Sequence, residues 1–323
     1  MKKIFAILLS LILCFSFVAC SGKEEKNVNN KLVIGFAQIG QESGWRDAET
    51  NDIQWYAARH TDTIDLHFAD AEGDQSKQIQ AIRDFIALGV DVIAFPPVVE
   101  TGWEEILTEC QEAGIPVILV DRGIDRSLSE DLYTTMIASD HVWAGEQAGI
   151  VMEDLLDGKG VVVEIEGTIG ASAMLQREQG FDDYINANCP DITITDAKSG
   201  DFTRDGGKEV MAAFLETYDH IDGVFCHNDD MALGAIEAIE EAGLTPGGDI
   251  KLISVDGVSS AFEAILAGKL NCTIECTPIL AEQLFDTAAT LKKGEAVDKW
   301  IISNDEVYTT DKVTPEVVEN RAY

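Results

Sequence analysis

Basic residues are scarce in this chain of 323 residues: 23 Lys and Arg face 58 Asp and Glu, a formal charge of −35. A surface of that sign repels phosphate backbones, which excludes nucleic acid as a partner. Catalytic signatures are missing too. There is no GxSxG elbow, no HExxH and no Walker loop, so nothing marks a nucleophile, a metalloprotease or a nucleotide hydrolase. No enzymatic activity, cofactor or metal is expected. Cysteine offers little more. Seven are present, but Cys110, Cys189, Cys226, Cys272 and Cys276 show neither CxxC spacing nor a histidine partner, which argues against a zinc site or a disulfide framework. Cys272 and Cys276, four apart in a strand-like run, would lie about 13 Å apart at the strand rise, beyond bridging distance. These cysteines are read as small buried hydrophobes.

Long apolar runs are confined to the start of the chain. Lys2 and Lys3 precede an uncharged run from Ile4 to Val18, shorter than the ~20 residues of a spanning helix. The run ends at Ala19-Cys20, a small residue followed by cysteine. This predicts a signal peptide over residues 1–19, with Cys20 acylated as the new N-terminus. Residues 20–30 carry no apolar periodicity and are predicted to be a tether of roughly 15–20 Å. No second membrane segment follows. The expected location is extracytoplasmic: in a periplasm or on the outer face of the cytoplasmic membrane, held by the N-terminal lipid.

What remains, about 290 residues, exceeds a usual single domain. It alternates β-branched runs with amphipathic stretches. Strands are predicted at Leu32–Ile39, Ile64–Ala69, Val92–Phe95, Val117–Val120, Val161–Ile165, Ile192–Asp196, Gly223–Cys226 and Leu252–Val255. Their nearly continuous apolar character is that of parallel strands buried on both faces. Between them lie helical patterns, several ending at a glycine suited to a C-cap: Gly89, Gly114, Gly243 and Gly268. The alternation runs through about four units, pauses over Gly123–Asp140 with one further strand at Tyr133–Ile137, and restarts at Gly160. A last strand-like run (Asn271–Thr277), a long helix (Ile279–Lys293) and a terminal strand near Glu306–Thr310 complete the pattern. The predicted fold class is α/β, two Rossmann-like lobes with parallel sheets side by side, the chain crossing more than once between them.

In open parallel sheets ligands bind beyond the carboxyl ends of the strands. The residues there are Glu42-Ser43-Gly44-Trp45-Arg46 after the first strand and Asp121-Arg122 after the fourth. The second series places Arg177 on the helix after its first strand, His227-Asn228-Asp229-Asp230 after its third and Asp256 after its fourth. Carboxylates and amides beside guanidinium forks suit the hydroxyls of a sugar, which both donate and accept; Trp45 offers a face for a sugar ring. Each residue also has a plainer reading. Asp121 and Asp256 also suit loop turns, Arg46 and Arg122 suit pairing with those acids, and Trp45 suits lobe packing. Asn228 and Asp229 also suit helix caps, with capping preferred for Asp229 or Asp230, and His227 is read as a satisfied loop histidine.

The segments ESGWR (42–46), PPVVETGWE (96–104), VDRGID (120–125), GTIGASAMLQREQGF (167–181), SGDFTRDGGKEVM (199–211), HNDDMALGAIEAIEEAGLTPGGDI (227–250) and SVDG (254–257) closely resemble the ribose-type periplasmic sugar-binding proteins of ABC transporters. ESGWR and GDFTR match its galactofuranose-binding branch. The resemblance runs over essentially the whole chain after residue 30. It implies a type I binding-protein fold with a three-strand hinge, crossing near Ile137–Asp140, Thr273–Thr277 and Ser303–Tyr308. The first lobe would span 31–137 plus 277–303, the second 138–276 plus 304–323. It implies ligand contacts at Glu42, Ser43, Trp45, Arg46, Asp121, Arg122, Arg177, Asn228 and Asp256, with Glu275 near the hinge. It also implies a monomer that passes a monosaccharide to an ABC permease. The relative's second-lobe cysteine pair does not carry over, because Val161–Val163 occupies one of the two positions. Two rivals share the fold. A sugar-responsive repressor would need a DNA-binding headpiece where residues 1–30 stand. A ligand sensor for a membrane kinase or chemoreceptor would differ only in its partner.

Overall fold

The computed structural model describes residues 31–125, 127 and 130–323; the expectations for residues 1–30, Cys20 among them, lie outside the described residues. Two six-stranded sheets organise the chain. Strands and helices are numbered in chain order. The first sheet holds β1 (Leu32–Gln38), β2 (Ile64–Asp70), β3 (Val92–Phe95), β4 (Val117–Val120), β5 (Thr135–Ala138) and β11 (Trp300–Ile302), in the spatial order β11-β5-β4-β3-β1-β2, all parallel. The second holds β6 (Lys159–Glu166), β7 (Asp191–Ser199), β8 (Gly223–Cys226), β9 (Lys251–Asp256), β10 (Cys272–Glu275) and β12 (Val307–Thr309), in the order β12-β10-β9-β8-β6-β7. Its strands are parallel except β12, which runs antiparallel along β10. The chain passes between the sheets after β5, after β10 and after β11, so three crossings join two lobes.

The helices are α1 (Gly44–Arg59), α2 (Gln75–Leu88), α3 (Glu104–Glu112), α4 (His141–Leu155), α5 (Ser172–Asn188), α6 (Arg204–Thr217), α7 (Asp229–Glu241), α8 (Ser259–Leu266), α9 (Ala281–Lys292) and α10 (Pro315–Glu319). β3 shows why the strands read as unbroken apolar runs. Val92 and Ala94 face one way, into a core shared with Ile53 of α1 and Leu284 and Phe285 of α9. Ile93 and Phe95 face the other way, into a core with Ile82 and Phe85 of α2 and Leu107 of α3. Helices cover both faces, and an alternating polar pattern would leave every second side chain unsatisfied.

Each predicted strand and helix has an observed counterpart, within a few residues at its ends. The four predicted C-cap glycines all adopt positive φ, from 67° at Gly89 to 79° at Gly243. Periodicity does not predict β11, α1, α4 or the five-residue α10. The first is only three residues long. The buried stripe of α1 runs through Trp45, Arg46, Glu49, Ile53 and Ala57, so two charges interrupt the pattern that marks a packed helix. The five described cysteines are buried and unbridged.

Candidate functional site

The carboxyl ends of the strands in both sheets converge on one small cavity of about 20 Å3. Loop and helix starts supply its first-lobe wall. Ser43 caps α1, its side chain accepting from the Arg46 N–H at 3.2 Å, and this turn brings Glu42, Trp45 and Arg46 to the cavity. Asp121 and Arg122 follow β4 directly. From the second lobe come Ala173 and Arg177 of α5, Phe202 before α6, Asn228 before α7 and Asp256 at the end of β9. Two of the carboxylates sit on strained backbone: φ is 60° at Asp121 and 127° at Asp256. Such conformations cost of order 1–3 kcal/mol and persist where the surroundings over-determine them.

Arg46 organises the first wall. Its Nη1 donates to Glu49 Oε2 at 2.5 Å, and its Nη2 donates to Asp121 Oδ2 at 2.5 Å and Glu42 Oε1 at 3.2 Å. Burial works to raise the Asp121 carboxyl, but Arg46, His141 and Arg122 together outweigh it and hold the group below its ordinary range. His141 is the first residue of α4. Its Nε2 lies 2.9 Å from the Asp121 carbonyl, which accepts, so Nε2 carries the proton. Burial and then the Arg177 charge pull this histidine down to about 4, leaving it neutral. Arg122 donates from Nη2 to Glu42; its Nε and Nη1 have no hydrogen-bond partner among the described residues, although the side chain is only 3% exposed.

The second wall is tied differently. Arg177 Nη1 donates to the His227 carbonyl at 2.5 Å, Nη2 lies 3.7 Å from Asp256 Oδ1, and Nε has no partner among the described residues. Burial, reinforced by Asp229, Asp230 and Asp121 against the pull of Arg177, raises the Asp256 carboxyl well above its ordinary value. Close helix packing sets the position of Arg177. A Cβ on Gly145 of α4 would come within 2.1 Å of the Arg177 carbonyl oxygen, and one on Gly180 of α5 within 2.1 Å of the Val142 carbonyl oxygen. Only glycine lets the two backbones approach this far.

The structure brings Glu42, Ser43, Trp45, Arg46, Asp121, Arg122, Arg177, Asn228 and Asp256 together around the cavity. Glu275 is not in its lining; it pairs with Arg321 at 2.7 Å and accepts from the Tyr323 hydroxyl at 3.3 Å, within a C-terminal segment folded against β10. Trp45 lines the cavity and also takes the lobe-packing role that was its plainer reading. Its indole N–H donates to the Cys276 carbonyl and its ring packs into the second-lobe core, so the side chain links the lobes. Phe202, which periodicity misses, is the second aromatic in the lining, with Arg122 centred 4.9 Å and Arg177 6.0 Å from its ring. The GDFTR segment carried the signal. The cap before α7 is Asn228, whose Oδ1 accepts from the Met231 N–H at 2.9 Å while Nδ2 donates to the Phe202 carbonyl at 3.0 Å. Asp229 and Asp230, expected as caps, do other work. Asp229 accepts from Ser254, Thr273, Gly257 and Val258 and so fixes the loop that carries Asp256. Asp230 accepts from the Gly44 N–H at 2.7 Å, across the lobes. His227 is buried as expected of a satisfied histidine, its Nε2 3.3 Å from Glu164, yet its Nδ1 lacks a partner among the described residues.

The lobes meet around the cavity. Besides Gly44–Asp230, the Gly123 N–H donates to Ser172 Oγ at 2.7 Å and the Glu100 N–H to the Gly170 carbonyl at 2.9 Å. Among the described residues no cluster of His, Cys, Asp or Glu is placed to hold a metal ion, and no helix is long and apolar enough to cross a membrane.

Two parallel α/β sheets with a charged cavity between their strand ends define a two-lobed solute-binding protein. The chain belongs to the periplasmic binding protein family: the model of the periplasmic binding protein domain matches residues 34–296, and the fold is type I. The galactofuranose-binding protein YtfQ of Escherichia coli (strain K12) is 42% identical over 295 residues, 90% of this chain and 92% of that protein. A Mycobacterium smegmatis protein solved in complex with β-D-fucofuranose is 46% identical, with a TM-score of 0.84, over 87% of this chain and 92% of its own. The binding component of the arabinose ABC transporter of Shewanella sp. ANA-3, solved with α- and β-L-arabinofuranose, is 42% identical, with a TM-score of 0.85, over 90% and 95%.

Proposed function

We propose that this chain is an extracytoplasmic solute-binding lipoprotein that captures a monosaccharide, galactofuranose or a related furanose, between its lobes and delivers it to an ABC importer. The observation that carries this reading is the balance of buried groups at the cavity. Three guanidinium groups (Arg46, Arg122, Arg177) stand beside four carboxyls (Glu42, Glu49, Asp121, Asp256), two of which, Asp256 and Glu49, burial raises toward the neutral form. A neutral polyol satisfies such a set, whereas an anion or cation would leave a buried charge uncompensated. In this reading the unpartnered Arg122 and Arg177 nitrogens donate to sugar hydroxyls, Asp121, Asp256 and Glu42 accept, and Phe202 covers an apolar ring face. Arg46 and Ser43 shape the wall, and Asn228 has one amide hydrogen left to give. Glu275 acts through the hinge. The chain works as a monomer and returns the sugar unchanged. Its lobes span 31–137 plus 277–303 and 138–276 plus 304–323, and Cys20 bears the lipid after removal of residues 1–19. The galactofuranose, fucofuranose and arabinofuranose of the relatives support the furanose class.

A thermal-shift screen of pentoses and hexoses on the full chain tests the reading. Saturation at a hundred times Kd stabilises the folded state by about 2.7 kcal/mol, a plain rise in Tm; a screen in which no sugar moves Tm removes the proposal. Recovery of labelled sugar unchanged checks the absence of turnover. Fractionation checks the anchor: Cys20→Ala is expected to move the protein from membranes to the soluble fraction.

A further inference from the structure

Glu42 and Arg122, which border the cavity and pair with each other, also line a second groove, of about 530 Å3. Its walls come from both lobes: Gln41 and Asp70 on one side, Thr168, Asp201 and Thr203 on the other. The small cavity and the groove are thus present together in one arrangement of the lobes. The groove holds side-chain amide, hydroxyl and carboxylate groups with a small apolar patch at Val98. Its single basic residue is Arg122, already paired with Glu42, and Glu72 on its rim is paired with Lys77. That chemistry binds neutral hydroxyls and repels phosphates and carboxylates. The second observation is Arg122 itself. It borders both spaces, is 3% exposed, and keeps Nε, 3.8 Å from Asp121 Oδ2, and Nη1 without hydrogen-bond partners among the described residues. Leaving buried guanidinium donors unmet is costly, and a ligand spanning both spaces meets them.

We infer that the groove is a second sugar subsite: one ring occupies the small cavity, and a neutral second ring glycosidically joined to it lies in the groove, with Arg122 between them. This rests on the monosaccharide reading above and extends its substrate class to disaccharides.

Calorimetry on the full chain tests it with three probes: galactose, a disaccharide of two galactofuranose units, and the same disaccharide with a uronic acid as second ring. Wild type is expected to bind the neutral disaccharide within about tenfold of galactose, and the acidic one at least about tenfold more weakly than the neutral one. Thr168→Trp, filling the groove from the second lobe, is expected to weaken the disaccharide by about tenfold or more and leave galactose unchanged. Gln41→Trp does the same from the first lobe and covers the case in which Thr168→Trp fails to fold. Rejection of both disaccharides by a wild type that binds galactose overturns the subsite, as do two folded variants that leave disaccharide affinity intact or weaken both neutral ligands equally. Binding of neither ligand class overturns the monosaccharide reading and the subsite with it. Disaccharide binding without galactose binding supports the subsite and corrects only the ligand size.

Discussion

On the first-lobe wall, one guanidinium, that of Arg46, orients Glu42, Glu49 and Asp121 at 2.5–3.3 Å. On the second-lobe wall, Arg177 has a backbone carbonyl, an Asp256 oxygen 3.7 Å away and an Nε without a partner among the described residues. Arg46 is fully engaged, whereas Arg122 on the same wall keeps Nε and Nη1, and Arg177 on the other keeps Nε, without hydrogen-bond partners among the described residues. In a low-dielectric site the completed network is rigid, because no member can move without breaking several charge-assisted bonds. The two arginines left unmet, Arg122 and Arg177, one on each wall, gain most from a ligand.

Substitutions on the two walls sharpen this contrast. The largest effect belongs to Arg46→Met, which leaves Glu49 and Asp121 buried without their cation; a loss of about 3–5 kcal/mol in unfolding free energy is expected by denaturant titration. A loss under 1 kcal/mol would show that the network is not a structural keystone. Gly180→Ala drives a methyl group into the Val142 carbonyl; overpacking of about 1–3 kcal/mol is expected, together with weaker sugar binding, since α5 carries Arg177. Arg122→Ala is expected to weaken binding by about 1–3 kcal/mol, the cost of leaving a buried acceptor unpaired, and calorimetry showing unchanged affinity would take Arg122 out of the site. Phe202→Ala is smaller, about 0.5–1.5 kcal/mol in affinity if the ring covers a sugar face.

The two lobes also differ in how they answer pH. Glu166 at the end of β6 is raised from 4.5 to about 7, by burial and then by Glu178, Asp182 and Asp196. The folded chain holds that proton where the unfolded chain has released it, so this group's contribution to stability falls as pH rises from about 4.5 to about 7. Asp121 has the opposite sign: its lowered carboxyl adds stability above its ordinary range, lost as pH falls through the folded value. Glu166→Gln is expected to flatten the fall of Tm between pH 5 and pH 7; an unchanged slope would assign that fall to other acids.

The strands of both sheets were legible because burial on two faces writes itself as unbroken β-branched runs, and the strand-end rule then gathered most of the cavity. Three features resisted for physical reasons. The pattern of α1 is broken by Arg46 and Glu49, whose burial is affordable only through each other and through Asp121, 75 residues away in sequence. Phe202 sits in an irregular loop at φ 59°, where no period exists to read. Asp229 resembles a cap from its neighbours alone, while its real partners, Ser254, Gly257, Val258 and Thr273, lie on β9, the loop after it and β10.

By itself the sequence determined the alternation of strand and helix, the two-lobed α/β class and the polar character of the strand ends, since each follows from local periodicity and from which residues must be hidden from water. Only the tertiary structure decided which charges neutralise one another, that Trp45 ties the lobes together, that Glu275 belongs with Arg321, and that Arg122 borders two spaces. Those outcomes depend on distances between residues remote along the chain, and electrostatic partnership falls off over a few ångströms that no sequence spacing encodes.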